Sequence, residues 1–175
     1  NEANNEEAGQ HWTPRDAVKL MAKLIFMPIA DAIESGTYLL YDGACGTGGM
    51  LISCLAEVKR RGGDTRTTGL YGQELINITA AIARMKLVLH GVSDFHVTSG
   101  NTLATPAFAE GDHLRTFDVV LANPPYSIKQ WDREAFSADP WGRNIYGTPP
   151  QGRADYAFWQ HIIQSLNPKS GRCAI

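Results

Sequence analysis

The sequence is poor in every pattern that announces metal or redox chemistry. Its three cysteines, Cys45, Cys54 and Cys173, are odd in number and show no CxxC spacing. They read as reduced thiols, forming neither a disulfide framework nor a zinc site. The five histidines are scattered without an HExxH pair, so no metal site is expected. A basic surplus is missing as well. Lys and Arg number 16 against 18 Asp and Glu, a net charge of −2. Such a domain does not hold nucleic acid unaided, and most phosphate contacts would have to come from elsewhere. No apolar run reaches membrane-spanning length and no signal peptide is recognisable, so the expectation is a cytoplasmic protein without membrane contact. GxGxxG and GxxxxGK[ST] are both absent, which disfavours a dinucleotide or P-loop site.

What remains is a chain of 175 residues with 43% hydrophobic and 19% charged residues, enough for one α/β domain with a real core. Its most informative stretch is Phe117-Asp-Val-Val-Leu-Ala-Asn-Pro-Pro-Tyr126. Phe117 to Ala122 is a nearly continuous apolar run, as in a strand buried on both faces of a parallel sheet. Pro124 and Pro125 end strand pairing and stiffen the backbone, holding Asn123 and Tyr126 at the strand's C-terminal edge. Ligands of open α/β sheets bind at that edge. Asn123 Oδ1 and the Pro124 carbonyl could accept from an amino group on a planar ring, with Tyr126 stacked on its face.

Residues 1–9 are polar and Glu-rich and read as a disordered end or linker remnant. Next comes Gln10-His11-Trp12-Thr13-Pro14-Arg15. Thr13 as N-cap, Pro14 at the first position and Asp16 at the third start a helix running to about Met27, where Pro28 bends or ends it. Val18, Met21, Leu24 and Ile25 are expected on its buried face. Thr37–Tyr41 is a strand entering Asp42-Gly43-Ala44-Cys45-Gly46-Thr47-Gly48-Gly49, and a helix follows with Met50, Leu51, Cys54, Leu55 and Val58 on one face. Strand, glycine turn and helix make a nucleotide cradle with close backbone approach and free N–H donors. Its opening carboxylate, Asp42, suits a ligand with a cationic end. Gly69–Glu74 is the second strand, ending in an acid placed to take both hydroxyls of a ribose. The helix from Ile76 to His90 is expected to turn Ile78, Ile82, Met85 and Leu89 inward. Phe95–Thr98 forms a third strand, with Asn101 near its tip either meeting an adenine edge or simply making a turn. Residues 104–116 read as a loop or short helix. Residues 127–154, with Trp131, Trp141, Tyr146, Lys129, Arg133, Arg143 and Arg153, read as a functional flap able to meet a flipped base and its phosphates. Asp155 caps a helix to about Leu166, and Arg172–Ile175 begins a fifth strand.

Seven of these segments occur in the order seen in one family: QHWTPR, DGACGTGG, LYGQE, GNTL, FDVVLANPPY, DPWGR and ADYAFWQH. In them the chain resembles the modification (methyltransferase) subunit of type I restriction-modification systems, an N6-adenine DNA methyltransferase that uses S-adenosylmethionine. The resemblance implies a Rossmann-like methyltransferase fold with a mostly parallel sheet flanked by helices. Residues 10–175 would be a partial catalytic domain, truncated after the fifth strand and lacking the family's helical N-terminal domain. It implies cofactor contacts from Gln10 to Arg15, from Asp42, Cys45, Gly46, Thr47, Gly48 and Gly49, and from Glu74 and Asn101. Asn123, Pro124, Pro125 and Tyr126 would hold the target adenine, flipped out of double-stranded DNA. Implied partners are a specificity subunit, a restriction subunit and a second modification subunit. Gly43 stands where the family usually has Pro, which should loosen the strand exit, and Asn101 stands where it has Asp, which removes a charge. The alternatives are an inactive cofactor-binding scaffold of such a complex, or an Asn-Pro-Pro-Tyr methyltransferase acting on RNA or on protein glutamine.

Overall fold

The computed structural model describes residues 13–29 and 36–175. Gln10, His11 and Trp12, and the expected disordered segment 1–9, lie outside the described residues. The elements run α1 (Arg15–Phe26), β1 (Leu39–Asp42), α2 (Gly49–Arg60), β2 (Gly69–Glu74), α3 (Asn77–Leu89), β3 (Phe95–Ser99), β4 (Ala109–Glu110), β5 (His113–Leu114), β6 (Val119–Leu121), α4 (Arg133–Ser137), α5 (Asp155–Gln164) and β7 (Arg172–Ala174).

Five strands form one sheet in the order β3-β2-β1-β6-β7, and every pairing in it is parallel. The register sets Asp42 beside Gly72, Glu74 beside Ser99, and Leu121 beside Ala174, so the strand C-termini share one edge. The chain walks outward from β1 to β3, then returns to place β6 on β1's other side. The gap between β1 and β6 is therefore the topological switch point, where open sheets bind ligands. The apolar strands serve two cores at once. Leu40, Leu70, Val97, Val119 and Leu121 pack with α1, α2 and α3, while Tyr41, Tyr71, Phe117, Val120 and Ala122 pack with Ile162 of α5. This is the two-faced burial that continuous apolar strands require.

Three local expectations change. In α3 the buried residues are Ala80, Ala83 and Leu87, whereas Ile78, Ile82, Met85 and Leu89 are exposed, Leu89 at 77%. The sheet approaches so closely that small residues are needed underneath: Gly48 of the glycine turn sits 3.5 Å from the Ala83 Cβ when given a Cβ of its own. In α1, Val18 and Ile25 are buried as expected, but Ala22 and Phe26 complete the face and Leu24 is exposed. Segment 104–116 holds the two-residue hairpin β4–β5, turned at Gly111 with φ 70°.

A buried ionic staple fixes the flap after β6. The Arg143 side chain donates to Asp139 Oδ1 through Nε at 2.9 Å and Nη2 at 2.6 Å, and to the carbonyls of Thr102 and Leu103 at 2.9 and 2.7 Å. Both side chains are 1% exposed, and the guanidinium also lies over Trp141 and Phe136. On its other side is His161, whose Nε2 is 2.8 Å from the Tyr41 hydroxyl. Burial, and then the nearby Arg143 charge, drive the His161 pKa down to about 3, so the ring stays neutral. Arg143 thus joins the loop after β3, the flap and α5, and is closed to phosphate, contrary to the expectation for this residue.

Two stability measurements follow. Leu87→Ala should cost about 2–5 kcal/mol as a cavity in the core, and Leu89→Ala should stay within about 0.5 kcal/mol, as read by urea unfolding. Asp139→Ala, which leaves Arg143 charged and unpaired in the interior, should cost about 3–5 kcal/mol by the same measurement.

Candidate functional site

The glycine turn is held against β2 by backbone as much as by side chains. The Cys45 N–H donates to the Gln73 carbonyl at 3.0 Å, and the Gly48 N–H to the Cys45 carbonyl at 2.8 Å. Gly46 and Gly48 lie at φ 51° and 77°, a left-handed conformation that side chains resist. A Cβ on Gly46 or Gly49 would meet no atom within 4 Å, so the turn presents bare backbone to open space. Gly48 then caps α2, whose first N–H groups have no carbonyl inside the helix.

Two carboxylates line this turn. Glu74 Oε2 accepts from the Gly46 N–H at 2.9 Å and Oε1 from the Ile76 N–H at 3.0 Å. Each oxygen keeps a second acceptor position. Asp42 is 1% exposed, and its Oδ1 accepts from the Ala44 N–H at 3.0 Å. Burial, partly offset by the Ala44 hydrogen bond, and the neighbouring Glu74 charge push Asp42 up to about 7. Burial raises the Cys45 thiol too, so it stays protonated. Thr47 is met by a residue sequence reading missed: Lys86 of α3 donates through Nζ to Thr47 Oγ1 at 3.1 Å. The lysine lies on the α3 flank toward the turn, and only the fold discloses that.

Gly43 is hydrogen-bonded and closely packed at the strand exit. Its carbonyl accepts from the Thr102 hydroxyl, and a Cβ there would stand 2.9 Å from the Tyr41 hydroxyl. Asn101 is occupied by its own turn: its Oδ1 accepts from the Leu103 and Ala104 N–H groups at 3.0 and 3.1 Å. That leaves only its NH₂ for any ligand. Gln73, also missed, is buried at the end of β2 and clamps the loop after β3, donating to the Thr105 carbonyl and accepting from the Ala107 N–H, each at 2.9 Å.

Across the switch point, Asn123 to Tyr126 leave the tip of β6. Pro124 is buried, Asn123 half-buried, and Tyr126 54% exposed, so the aromatic face is available and its proline anchor is not. Asn123 Nδ2 donates to Thr13 Oγ1 at 2.9 Å. Thr13 was expected to cap α1, yet α1 has no side-chain cap and its Ncap position is Pro14. The threonine hydroxyl serves the asparagine instead. Asp155 departs in the same way: its carboxylate accepts from the Ser127 N–H at 2.7 Å, holding a residue at φ 59°, and the α5 Ncap is Ala154. Arg15 opens α1 at the same end of the chain.

The flap's aromatic surface lies elsewhere. Tyr146, Pro149, Pro150, Tyr156 and Trp159 line a groove of about 470 Å³ along α5, and Asn123 to Tyr126 are not among its walls. Lys129, Arg133 and Arg153 are exposed. Among the described residues no three His, Cys, Asp or Glu side chains cluster as a metal would require, and no helix is long and apolar enough to cross a membrane.

Comparison with known proteins adds identity to this geometry. The N-6 DNA Methylase family model matches residues 1–175. The chain is 30% identical to the type I restriction enzyme HindI methylase subunit of Haemophilus influenzae, covering 99% of this chain and 36% of that protein. It is 28% identical to the MpnII methylase subunit of Mycoplasma pneumoniae, over 97% and 31% respectively. The crystal structure of a type I restriction-modification methyltransferase subunit from Streptococcus thermophilus superposes with a TM-score of 0.80 at 29% identity, over 94% of this chain and 34% of that one. The chain thus spans about a third of the length of these relatives. With the Rossmann-like methyltransferase fold and the Asn-Pro-Pro-Tyr edge in place, the chain belongs to the N-6 DNA methylase family.

Proposed function

We propose that this chain is the catalytic core of a type I modification subunit, transferring a methyl group from S-adenosylmethionine to adenine N6 in DNA. The carrying observation is the pairing, across one switch point, of a bare glycine turn flanked by two carboxylates with an Asn-Pro-Pro-Tyr tip. The carboxylates fit the cofactor. Asp42 is buried, and burial with the Glu74 charge raises its pKa; a ligand bearing positive charge would remove that penalty. Glu74 has acceptor positions left for vicinal hydroxyls. Glu74, Asp42, Cys45, Gly46, Thr47, Gly48 and Gly49 are assigned to this pocket. Gln10, His11, Trp12, Thr13, Pro14 and Arg15 are assigned to its rim. Asn101 contributes at most its NH₂.

When bound, S-adenosylmethionine supplies an activated methyl on a sulfonium. The chain's own residues then have three tasks. Asn123 Oδ1 and the Pro124 carbonyl accept the N6 hydrogens of the target adenine, which draws the nitrogen lone pair out of ring conjugation. As the N6–methyl bond forms, the methyl–sulfur bond would break to leave a neutral thioether, and the surplus N6 proton would pass to solvent. Tyr126 stacks on the flipped base. The buried Pro124 and stiff Pro125 keep these groups in line, so positioning supplies most of the rate. The net charge of −2 leaves target recognition and most phosphate contacts to a specificity subunit. A second modification subunit and a restriction subunit complete the proposed assembly on double-stranded DNA, in the cytoplasm.

Calorimetric titration of S-adenosylmethionine tests the pocket. Glu74→Ala should weaken binding by about 10- to 100-fold, the worth of hydrogen bonds to a charged group. Binding should also strengthen from pH 5.5 to pH 8 by more than about tenfold, because a cationic ligand selects ionised Asp42. The linked stability has the opposite slope. Between about pH 4 and pH 7 the folded chain holds a proton on Asp42 that the unfolded chain has released. The group's stabilising contribution is therefore complete below that window and is lost as pH rises through about 7. Asp42→Asn should flatten both dependences, and an unchanged pH profile in that variant would remove Asp42 from the site. In the assembled enzyme, Asn123→Ala should cut methyl transfer to DNA by at least about 100-fold while leaving cofactor affinity intact. Labelling of RNA or of protein glutamine in place of DNA would favour the other reading of Asn-Pro-Pro-Tyr.

A further inference from the structure

We infer that the outer face of α3 is a docking surface for a second copy of this chain, the two helices packing antiparallel about a two-fold axis between Ile82 and Met85. The inference rests on α3 alone and is independent of the methyl-transfer reading. The observation is a core-like stripe left in solvent. Leu75, Ile78, Ile82, Met85, Val88 and Leu89 are between 36% and 77% exposed. Yet Ile78, Ile82, Met85 and Leu89 recur at the four-three-four spacing by which one helix packs on another.

The opposite face of the helix is already spent, with Ala80, Ala83 and Leu87 holding it on the sheet. α3 is therefore apolar on two sides, and a helix that is apolar all round is a buried one. The six side chains expose on the order of 700 Å², more than the 300–600 Å² of the largest apolar patch on an ordinary monomer. That is close to the ~800 Å² that each partner gives to a standard interface.

Three features select a second copy as the occupant. The stripe is self-complementary: in the antiparallel arrangement Ile78 faces the partner's Leu89, and Ile82 faces the partner's Met85. The same four residues thus fill both sides, as an isologous contact requires. Charge points the same way. The charged residues of α3 are Arg84 and Lys86, and both are drawn off the stripe. Arg84 Nη1 donates to the Val97 carbonyl and Lys86 Nζ to Thr47 Oγ1, each at 3.1 Å. A charged partner surface would find nothing here to pair with, whereas a second uncharged stripe buries no ion. At the ends, the positive N-terminus of each helix lies beside the negative C-terminus of the other. Asn77 there meets the partner's His90 without a like charge.

Sedimentation velocity of the 175-residue chain between about 1 and 200 µM should show a reversible monomer–dimer equilibrium, at the weak end for such an area. Met85→Glu alters a side chain that is 57% exposed, so the fold should tolerate it, as circular dichroism would show. It should raise the dimer Kd at least about tenfold, because the interface would bury an unpaired charge. Leu20→Glu makes the same change on the exposed face of α1 and should leave the Kd unchanged. A second measurement reads the register. In a Cys173→Ser background, which removes the exposed thiol, a mixture of Ile82→Cys and Met85→Cys chains should form interchain disulfides faster than either variant alone. A chain that stays monomeric at every concentration overturns the inference and leaves the face to another segment or subunit. A dimer that survives Met85→Glu overturns it by placing the contact elsewhere. Open-ended association, or a mixture that crosslinks no faster than its components, overturns the closed antiparallel pair.

Discussion

Everything at the site depends on how tightly the glycine turn is laid on the end of β2. Residue 72 must lack a side chain, because a Cβ there would meet Cys45 Sγ at 2.9 Å. Given that clearance, the Cys45 N–H reaches the Gln73 carbonyl and the Gly46 N–H reaches Glu74. The acid that ends β2 is thereby a structural anchor before any ligand is present. It sets the turn's height above the sheet with one oxygen and the start of the α3 segment with the other. The parallel register does the rest by bringing the ends of β1, β2 and β6 to one edge. A shift of one residue would turn the β1 and β2 side chains to the opposite faces and split both cores.

Charge is used in two opposite ways on either side of the sheet. On the α5 side, Arg143 is buried but saturated by a carboxylate, two carbonyls and a neutral histidine. A cation so completely paired is inert and specifies only how the flap folds. At the switch point, Asp42 and Glu74 are two buried acids that accept from backbone N–H groups. Burial of Asp42 costs stability as pH rises through about 7, a cost that a bound cation would offset. The two sides differ in whether the charges are already balanced.

The parallel sheet and the β2 boundaries were legible in the sequence because glycine turns, proline stops and apolar runs are local signals, whereas the β4–β5 hairpin and α4 were not. The Asn-Pro-Pro-Tyr tip was legible for the same reason. What failed was the choice of helix face. In α3 the larger residues Ile78, Ile82, Met85 and Leu89 make the more obvious stripe, but the buried stripe is Ala80, Ala83 and Leu87. Close approach of the glycine turn decides this, and a single helix's periodicity carries no trace of it. The capping signals failed for a related reason. Thr13 and Asp155 both have the residue type of an N-cap, and both spend their side chains on the chain leaving β6. Local pattern identifies a residue that can satisfy an N–H or accept from an amide. Tertiary structure chooses which one.

Those two diverted caps have a common geometric consequence. The segment from Asn123 to Ser127 is braced at its first residue by Thr13 and at its last by Asp155, with two prolines between. Four of the five residues, all but Tyr126, are thus either ring-locked or tied, and Ser127 is held in a left-handed conformation that a non-glycine residue adopts at some cost. Strain of this kind persists only where the surroundings over-determine it. The proposed methyl transfer would draw its rate from holding an amino nitrogen in line with a methyl group. Rigidity at both ends of a five-residue tip is the form that such positioning takes in a backbone. The braces come from the residue ahead of α1's Ncap and the first residue of α5, helices that pack on opposite faces of the sheet, so the tip's geometry depends on the packing of both layers.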